Sequence, residues 1–301
     1  MKKKLLLLLL FSLCLAFSAR ATDGIYVKFG LDLGYAGRIG YAGGTTPHWA
    51  VFVYGAGTSG SPFNSLDISA PPGSTPPQVD GNIAVAGVYS TLTMSGQATV
   101  NGDIYRQTTA TVSRSGNATI TGGQFSSTSI NSQLNSGITS LQTVSNNAFA
   151  LSATSGSPSS INLGGGGNMT FSNTAFGGKY VMRLTDFVLS GGSTLTLNGV
   201  AGSAFVINIS GRFDIGGASR ILLTGGLMAS DVLFNLRGSN SDTQITGDSI
   251  FNGTLLAYNN SGAQRTFTMS GHNTQFNGEL IASKVILQSG GHLTQPKKTS
   301  Q

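Results

Sequence analysis

Three histidines and one glutamate are the residues from which this 301-residue chain could build acid–base or metal chemistry. His48, His272 and His292 are isolated from one another and from acid-rich neighbours. No pair of aspartates has calcium-loop spacing, and no Gly-Gly-x-Gly-x-Asp repeat occurs. A hydrolytic triad needs Ser, His and Asp to converge in space. His272 with Asp242 or Asp248 leaves that reading open, but nothing in the pattern favours it. A polysaccharide lyase or hydrolase needs clustered acidic groups or a metal, plus a basic residue. One glutamate, Glu279, and scattered aspartates do not supply that. The expectation is therefore no enzyme, no cofactor and no metal, with a β-helix polysaccharide lyase or hydrolase as the alternative.

Two glycine-rich stretches imitate nucleotide sites. Gly55-Ala56-Gly57-Thr58-Ser59-Gly60 matches the dinucleotide fingerprint, and Asp80 lies twenty residues further on. The fingerprint also needs a helix starting at the glycines, whose N-terminus holds the pyrophosphate. Here Pro62, Pro71, Pro72, Pro76 and Pro77 follow, and no helical period appears. Gly178-Lys179-Tyr180 has Tyr where a P-loop carries the hydroxyl residue that holds magnesium.

The elements that must position any site are signalled by composition. Charged residues make up 9 % of the chain, against roughly 25 % in ordinary soluble domains. Helix surfaces normally use Glu, Lys and Arg, so the scarcity argues against a helical protein. The polar surface falls to Ser, Thr, Asn and Gly, residues of turns and exposed strand positions. Residues 1–21 read as a secretory signal peptide: Lys2 to Lys4, then an apolar run from Leu5 to Phe17, then Ala19-Arg20-Ala21. Thirteen residues are too few to span a bilayer, which needs roughly 20. Removing the leader takes Lys2, Lys3, Lys4, Arg20 and the only cysteine, so the net charge falls from +6 to +2. No basic stripe remains for nucleic acid. No later run is long and apolar enough to be a transmembrane helix. Secretion or display at the cell surface is expected, with the periplasm as a further destination.

Internal similarity points to a repeat architecture. Ser95-Gly96-Gln97-Ala98-Thr99-Val100-Asn101-Gly102 recurs as Ser115-Gly116-Asn117-Ala118-Thr119-Ile120-Thr121-Gly122. Phe251-Asn252-Gly253-Thr254-Leu255-Leu256-Ala257 recurs as Phe276-Asn277-Gly278-Glu279-Leu280-Ile281-Ala282. Offsets of twenty and twenty-five residues with β character match one coil of a β-solenoid, which buries its apolar residues only by stacking. A β-sandwich of degenerate hairpins is the alternative. Ser127 to Ser152 breaks the pattern. Ile130, Leu134, Ile138, Leu141, Val144, Ala148 and Leu151 lie on one face of a helix of about 39 Å, expected to pack on the solenoid flank. The chain divides into a leader (1–21), a Gly/Pro-rich segment with one strand, Trp49 to Tyr54 (22–79), a solenoid domain (80–294) with a helix at about 127–152, and a polar tail (295–301).

Alternation along the strands sets which residues face outward. Thr91, Thr93, Thr99, Thr119, Thr121, Thr194, Thr196, Thr266 and Thr268 are the candidate site. Such a solenoid presents a flat, neutral face of hydroxyls and methyls. That face suits an ordered, uncharged, repetitive ligand: ice, or an extracellular polysaccharide. Threonine is also a good exposed strand residue in its own right.

The C-terminal half resembles the bacterial and fungal ice-binding-like family. The resemblance rests on Gly178-Lys179-Tyr180-Val181, Leu189 to Leu197, Ser203 to Ile209, Asp231 to Leu236 and the two Phe-Asn-Gly segments. Together these run in order from about Phe176 to Leu293. It implies a right-handed β-solenoid with a long helix lying along it, and ice-binding residues on one flat face. The N-terminal part, notably Trp49 to Tyr54 and Asp80 to Gly87, resembles choice-of-anchor A surface adhesins, although no anchoring sequence follows here. The expectation is a secreted surface-binding protein, first for ice. A cell-surface or matrix adhesin for glycan is the alternative.

Overall fold

A computed structural model describes residues 26–27, 31–32, 49–238, 242–258 and 265–295. The expected leader, His48 and residues 296–301 of the tail lie outside these. The chain winds into a solenoid of parallel strands with three faces. The first face is a sheet of nine strands. A second sheet, of sixteen strands, bends to give the other two faces. One long helix, α1, runs over residues Thr128–Ala150.

The sequence of each strand tells which face it occupies. Strands of the first two faces alternate: Ser90–Ser95 and Thr194–Gly199 bury every second residue. Their inward leucines and Met94 join the core, and their outward threonines meet solvent. Strands in the middle of the third face are mostly apolar and lack the alternation. Trp49–Val53, Ala204–Ile209 and Val232–Leu236 are buried at every position. They are covered on both sides, by the core within and by α1 without, and doubly covered strands read as continuous apolar runs. Trp49, Phe52, Val206, Leu233, Leu256 and Ile281 form the outer layer, packed against Leu134, Leu141, Val144 and Ala148 of α1.

The corners explain the glycines. Gly165, Gly191, Gly217 and Gly247 turn the chain from the first face to the second with φ of 60 to 63°. A Cβ on Gly217 would lie 2.8 Å from the backbone nitrogen of Gly191 in the adjacent coil. Only glycine tolerates both the conformation and the approach. Gly253 and Gly278 bend the long strands Ile250–Ala257 and Gln275–Ala282 from the second face into the third. That bend is the physical content of the Phe-Asn-Gly repeat.

The order of coils differs from the order of the chain. Trp49–Val53 lies mid-stack, paired with the strand ending at Ala282 on one side and with Asn82–Val85 on the other. The chain winds outward to Gln124–Phe125 at one end. Helix α1 then carries it to the other end, where Ile161–Leu163 opens the first coil. It winds back until Lys284–Gln288 and His292–Thr294 pair with Phe63–Ser69 and Gln78–Asp80. The 23 residues of α1 give about 35 Å at 1.5 Å each, and nine stacked strands span about 38 Å at 4.8 Å spacing. The helix is as long as the return journey requires. Its N-cap is Ser127, whose Oγ accepts from the N–H of Ile130 at 3.1 Å.

One sequence expectation changes. The boundary at residue 80 falls inside the solenoid, because Phe63–Ser69 and Gln78–Asp80 are solenoid strands as well as Trp49–Val53. Pro71, Pro72, Pro76 and Pro77 occupy the corner between the first two, where no ladder donor is needed. After α1 the strands resume at Ile161.

Candidate surface-binding site

The nine candidate threonines fall on two faces. Thr91, Thr93, Thr266 and Thr268 point outward from the first face, on Ser90–Ser95 and Thr266–Ser270. Thr99, Thr119, Thr194 and Thr196 point outward from the second, and Thr121 follows just past the strand Thr119–Ile120. No single face gathers all nine.

The two faces differ in regularity. The first has a register shift between Asn64 and Leu66. It also carries Asp67, Lys284 and the ion pair Arg212–Asp214, where one coil's outward position is charged and the next apolar, as at Ile286. The second face pairs without a register shift across its nine strands. Its outward residues form two ranks. One runs Asn168, Thr194, Arg220, Ile250, Gln275, His292, Gln78, Thr99, Thr119. The other holds Thr170, Thr196, Leu222, then Asn252, Asn277, Thr294, Asp80 and Asn101. Strand geometry spaces neighbours by about 4.8 Å along a rank and about 6.7 Å between ranks. At one end the strands lengthen and a third rank appears: Ser172, Asn198 and Thr224.

Neighbouring coils hold these side chains in place. The Thr119 hydroxyl donates to that of Thr99 at 3.2 Å, Asn277 Nδ2 to Asn252 Oδ1 at 3.1 Å, and Thr224 Oγ1 to Asn198 Oδ1 at 3.1 Å. Mid-face, Asp80 accepts from Gln78 Nε2 at 2.6 Å and Asn101 Nδ2 at 2.8 Å, and meets His292 Nε2 at 2.7 Å. Partial burial alone would raise the Asp80 carboxyl. Those hydrogen bonds and the His292 charge outweigh burial and hold it below the usual carboxylate range.

His292 therefore has an acidic partner that the sequence separates from it by more than two hundred residues. Only the meeting of the chain's two ends reveals it. His272 forms no triad with Asp248: its Nδ1 meets Thr75 Oγ1 at 2.8 Å, while Asp248 Oδ1 accepts from the N–H of Asn273. Among the described residues no group of three His, Cys, Asp or Glu could hold a metal. Gly55 to Gly60 leads into the strand Phe63–Ser69, with no helix for a pyrophosphate. The asparagine ranks and Thr170 share this face with the candidate threonines but are not among the nine, although Phe-Asn-Gly recurs in the sequence and Thr170 alternates with Met169 and Phe171.

A family model, the ice-binding-like adhesive domain, matches residues 50–293. Among solved structures, the DUF3494 domain of a Shewanella frigidimarina ice-binding protein superposes with a TM-score of 0.51 at 16 % identity, covering 90 % of this chain and 99 % of that one. An ice-binding protein of the Antarctic ascomycete Antarctomyces psychrotrophicus gives 0.48 at 17 % identity, covering 89 % of this chain and 100 % of that one. One from an Arctic yeast gives 0.48 at 16 %, covering 91 % and 97 %. No curated protein sequence matches the chain. At 16 % identity the likeness to the Shewanella domain speaks for the fold.

Proposed function

This chain belongs to the ice-binding-like adhesive family, and from that membership we propose that it is a secreted, non-enzymatic protein that adsorbs to ice through its second face. The observation that carries the choice of face is that no register shift occurs in the pairing of its nine strands. A crystal presents one repeat in two directions, and only a surface with a fixed repeat in two directions can match it at many points together. Interlocked hydroxyl and amide ladders lose little rotamer freedom on contact, which removes an ordering cost of about 0.5–1.5 kcal/mol per side chain. Threonine adds a methyl beside each hydroxyl, so the face orders water without binding it tightly at any one point.

The best-ordered part is the end where three ranks exist, around Thr170, Thr194, Thr196 and Asn198. The Arg220, Leu222 and Ile250 positions and the Asp80–His292 pair interrupt the array further on. Thr196→Tyr places a bulky ring in the middle of the regular patch, and Thr268→Tyr places the same ring on the first face. Ice recrystallisation inhibition and thermal hysteresis on the purified chain distinguish them. The expected outcome is activity in the parent and in Thr268→Tyr, and a severalfold loss in Thr196→Tyr. The reverse pattern moves the site to the first face. No activity in the parent at high micromolar protein sinks ice adsorption altogether.

A further inference from the structure

We propose that the corner between the third and first faces, built from Arg237, Tyr258 and Tyr54 beside the C-terminal end of α1, binds an acidic polysaccharide. This site is separate from the second face and does not depend on ice adsorption. The register Leu236↔Ala257, Ala257↔Ala282, Ala282↔Val53 sets the residues that follow these strands in one column. They are Arg237, Tyr258, Ser283 and Tyr54. At about 4.8 Å per coil the column extends roughly 14 Å. The small Ser283 lets the two tyrosine rings approach across it, with centroids 5.6 Å apart and planes tilted by 33°. Both rings are half-buried.

Cations outnumber anions in this corner, with Arg183, Arg237 and Arg265 against Asp186. Arg183 and Arg237 lie over the same ring, Phe149, with Cζ 5.0 and 4.6 Å from its centroid. Arg183 is committed to the helix end: Nε donates to the carbonyl of Leu151 at 3.1 Å and Nη2 to that of Phe149. Arg237 is not committed. Among the described residues its guanidinium has neither a hydrogen-bond acceptor nor a carboxylate in ion-pair range. A stacked guanidinium still offers five N–H donors in a plane. Arg265 stands behind it, only 2 % exposed, with Nη2 donating to the carbonyl of Gly238 and Nη1 buried without a partner. Asp186, in the same corner, already accepts from the backbone N–H of Arg212 at 2.8 Å. Burial makes both Arg237 and Arg265 somewhat easier to deprotonate than a free arginine, in Arg265 against an opposing pull from Tyr54.

A planar cation with no anion paired to it among the described residues, next to a pair of half-exposed aromatic rings, fits one ligand chemistry. The guanidinium takes a carboxylate or sulfate through two parallel hydrogen bonds. The tyrosine rings take the C–H faces of the adjoining sugars. A nucleic acid is disfavoured, because its affinity grows with the number of phosphates neutralised and the accessible cations here are few.

Affinity electrophoresis tests this, with the purified chain run at low salt through gels holding polygalacturonate, dextran sulfate or neutral dextran. Retardation by one or both acidic polymers, and not by dextran, is expected; which polymer acts tells carboxylate from sulfate. Arg237→Gln and Tyr258→Ala should each weaken binding, Arg237→Gln by about tenfold, the equivalent of one charge-assisted pair. Arg237→Lys keeps the charge but loses the planar fork, and should bind at an intermediate level. Arg220→Gln, which removes an exposed cation from the second face, should leave binding unchanged, and melting curves check that each variant is folded. No retardation, an equal loss in Arg220→Gln, or equal binding to a double-stranded DNA oligonucleotide overturns the proposal. Thr196→Tyr should retain polygalacturonate binding, so failure of the ice reading and failure of this one are separable.

Discussion

Glu279, the only glutamate in the chain, is 3 % exposed, and its Oε1 has no hydrogen-bond partner. Burial raises its pKa well above the ordinary value of 4.5. The sign of the consequence follows. Above the ordinary value the unfolded chain ionises this carboxyl while the fold keeps the proton. Unfolding then releases a proton, and stability falls as pH rises towards the folded pKa, by up to about 1.4 kcal/mol per pH unit. Below the ordinary value both states are protonated and the residue contributes no slope. Glu279→Gln should remove the slope, and Glu279→Thr, copying Thr254 of the paired coil, should do so as well. Urea midpoints of parent and variant, measured from about pH 4 to about pH 9, check it. Parallel curves would mean the carboxyl ionises in the fold at no cost. At this scale the sequence was half legible. Thr194, Thr196 and Thr268 show which way they point, because alternation with leucine, phenylalanine or methionine is local. The face each occupies, and the pairing of His292 with Asp80, depend on coils that are distant in sequence.

Helix α1 illustrates what an element's own residues reveal. Its apolar stripe was readable, since Leu134, Leu141, Val144 and Ala148 recur at helical spacing, and all are buried. The Ser127 cap follows from the same stretch. What the stripe could not show is the polar lock within the interface. Asn235 Nδ2 donates to the carbonyl of Ser145 at 3.0 Å and to Asn208 Oδ1 at 2.8 Å, and its Oδ1 accepts from the Ser145 hydroxyl at 2.8 Å. Asn208 Nδ2 in turn donates to the carbonyl of Ala148 at 2.8 Å. Both asparagines sit in apolar strands, where they look like interruptions. They add second donors to carbonyls in the last two turns of α1, where that of Ala148 also accepts from the N–H of Leu151 at 3.4 Å. Asn235→Ala strands the Ser145 hydroxyl and the Asn208 amide oxygen in a dry interface. It should cost about 2–4 kcal/mol, since each buried unsatisfied group costs about 1–3 kcal/mol before relaxation. Denaturant titration gives the loss. A cost under about 0.5 kcal/mol, the size of an ordinary surface change, would mean that water fills the gap. The proline-rich corner is the converse case. Pro71 to Pro77 gave a local signal for a break in secondary structure, but a break between domains and a break between faces use the same residues.

For the molecule as a whole, the interleaving of the chain's two ends is the feature least legible in sequence and most consequential for folding. Lys284–Gln288 and His292–Thr294 complete two sides of a coil whose third side is Trp49–Val53. Across the seam the N–H of Gln295 reaches the carbonyl of Asp80 at 2.8 Å, and its Oε1 accepts from the N–H of Asn82 at 3.2 Å. Every internal repeat is local, so the repeats could identify coils but not their stacking order. The arrangement makes a definite prediction. A circular permutant that joins residue 301 to residue 22 and opens between Ser155 and Gly156 would wind all its coils in sequence, and α1 would then close over them. Residue 156 is exposed, and a Cβ there meets nothing within 4 Å, so opening the turn disturbs little. The link is long, but loop-closure cost grows only by about 0.6 kcal/mol per doubling of length. The pairings of Leu280 with Val51 and Val285 with Leu66 then span 51 and 61 residues instead of 229 and 219, and folding should speed up because the contacts are more local. The permutant is expected to keep the parent's circular dichroism and its second-face activity, and to refold faster after dilution from urea. A permutant that folds no faster would show that the seam is not the slow step, and the return of α1 along the stack would be the next contact to test.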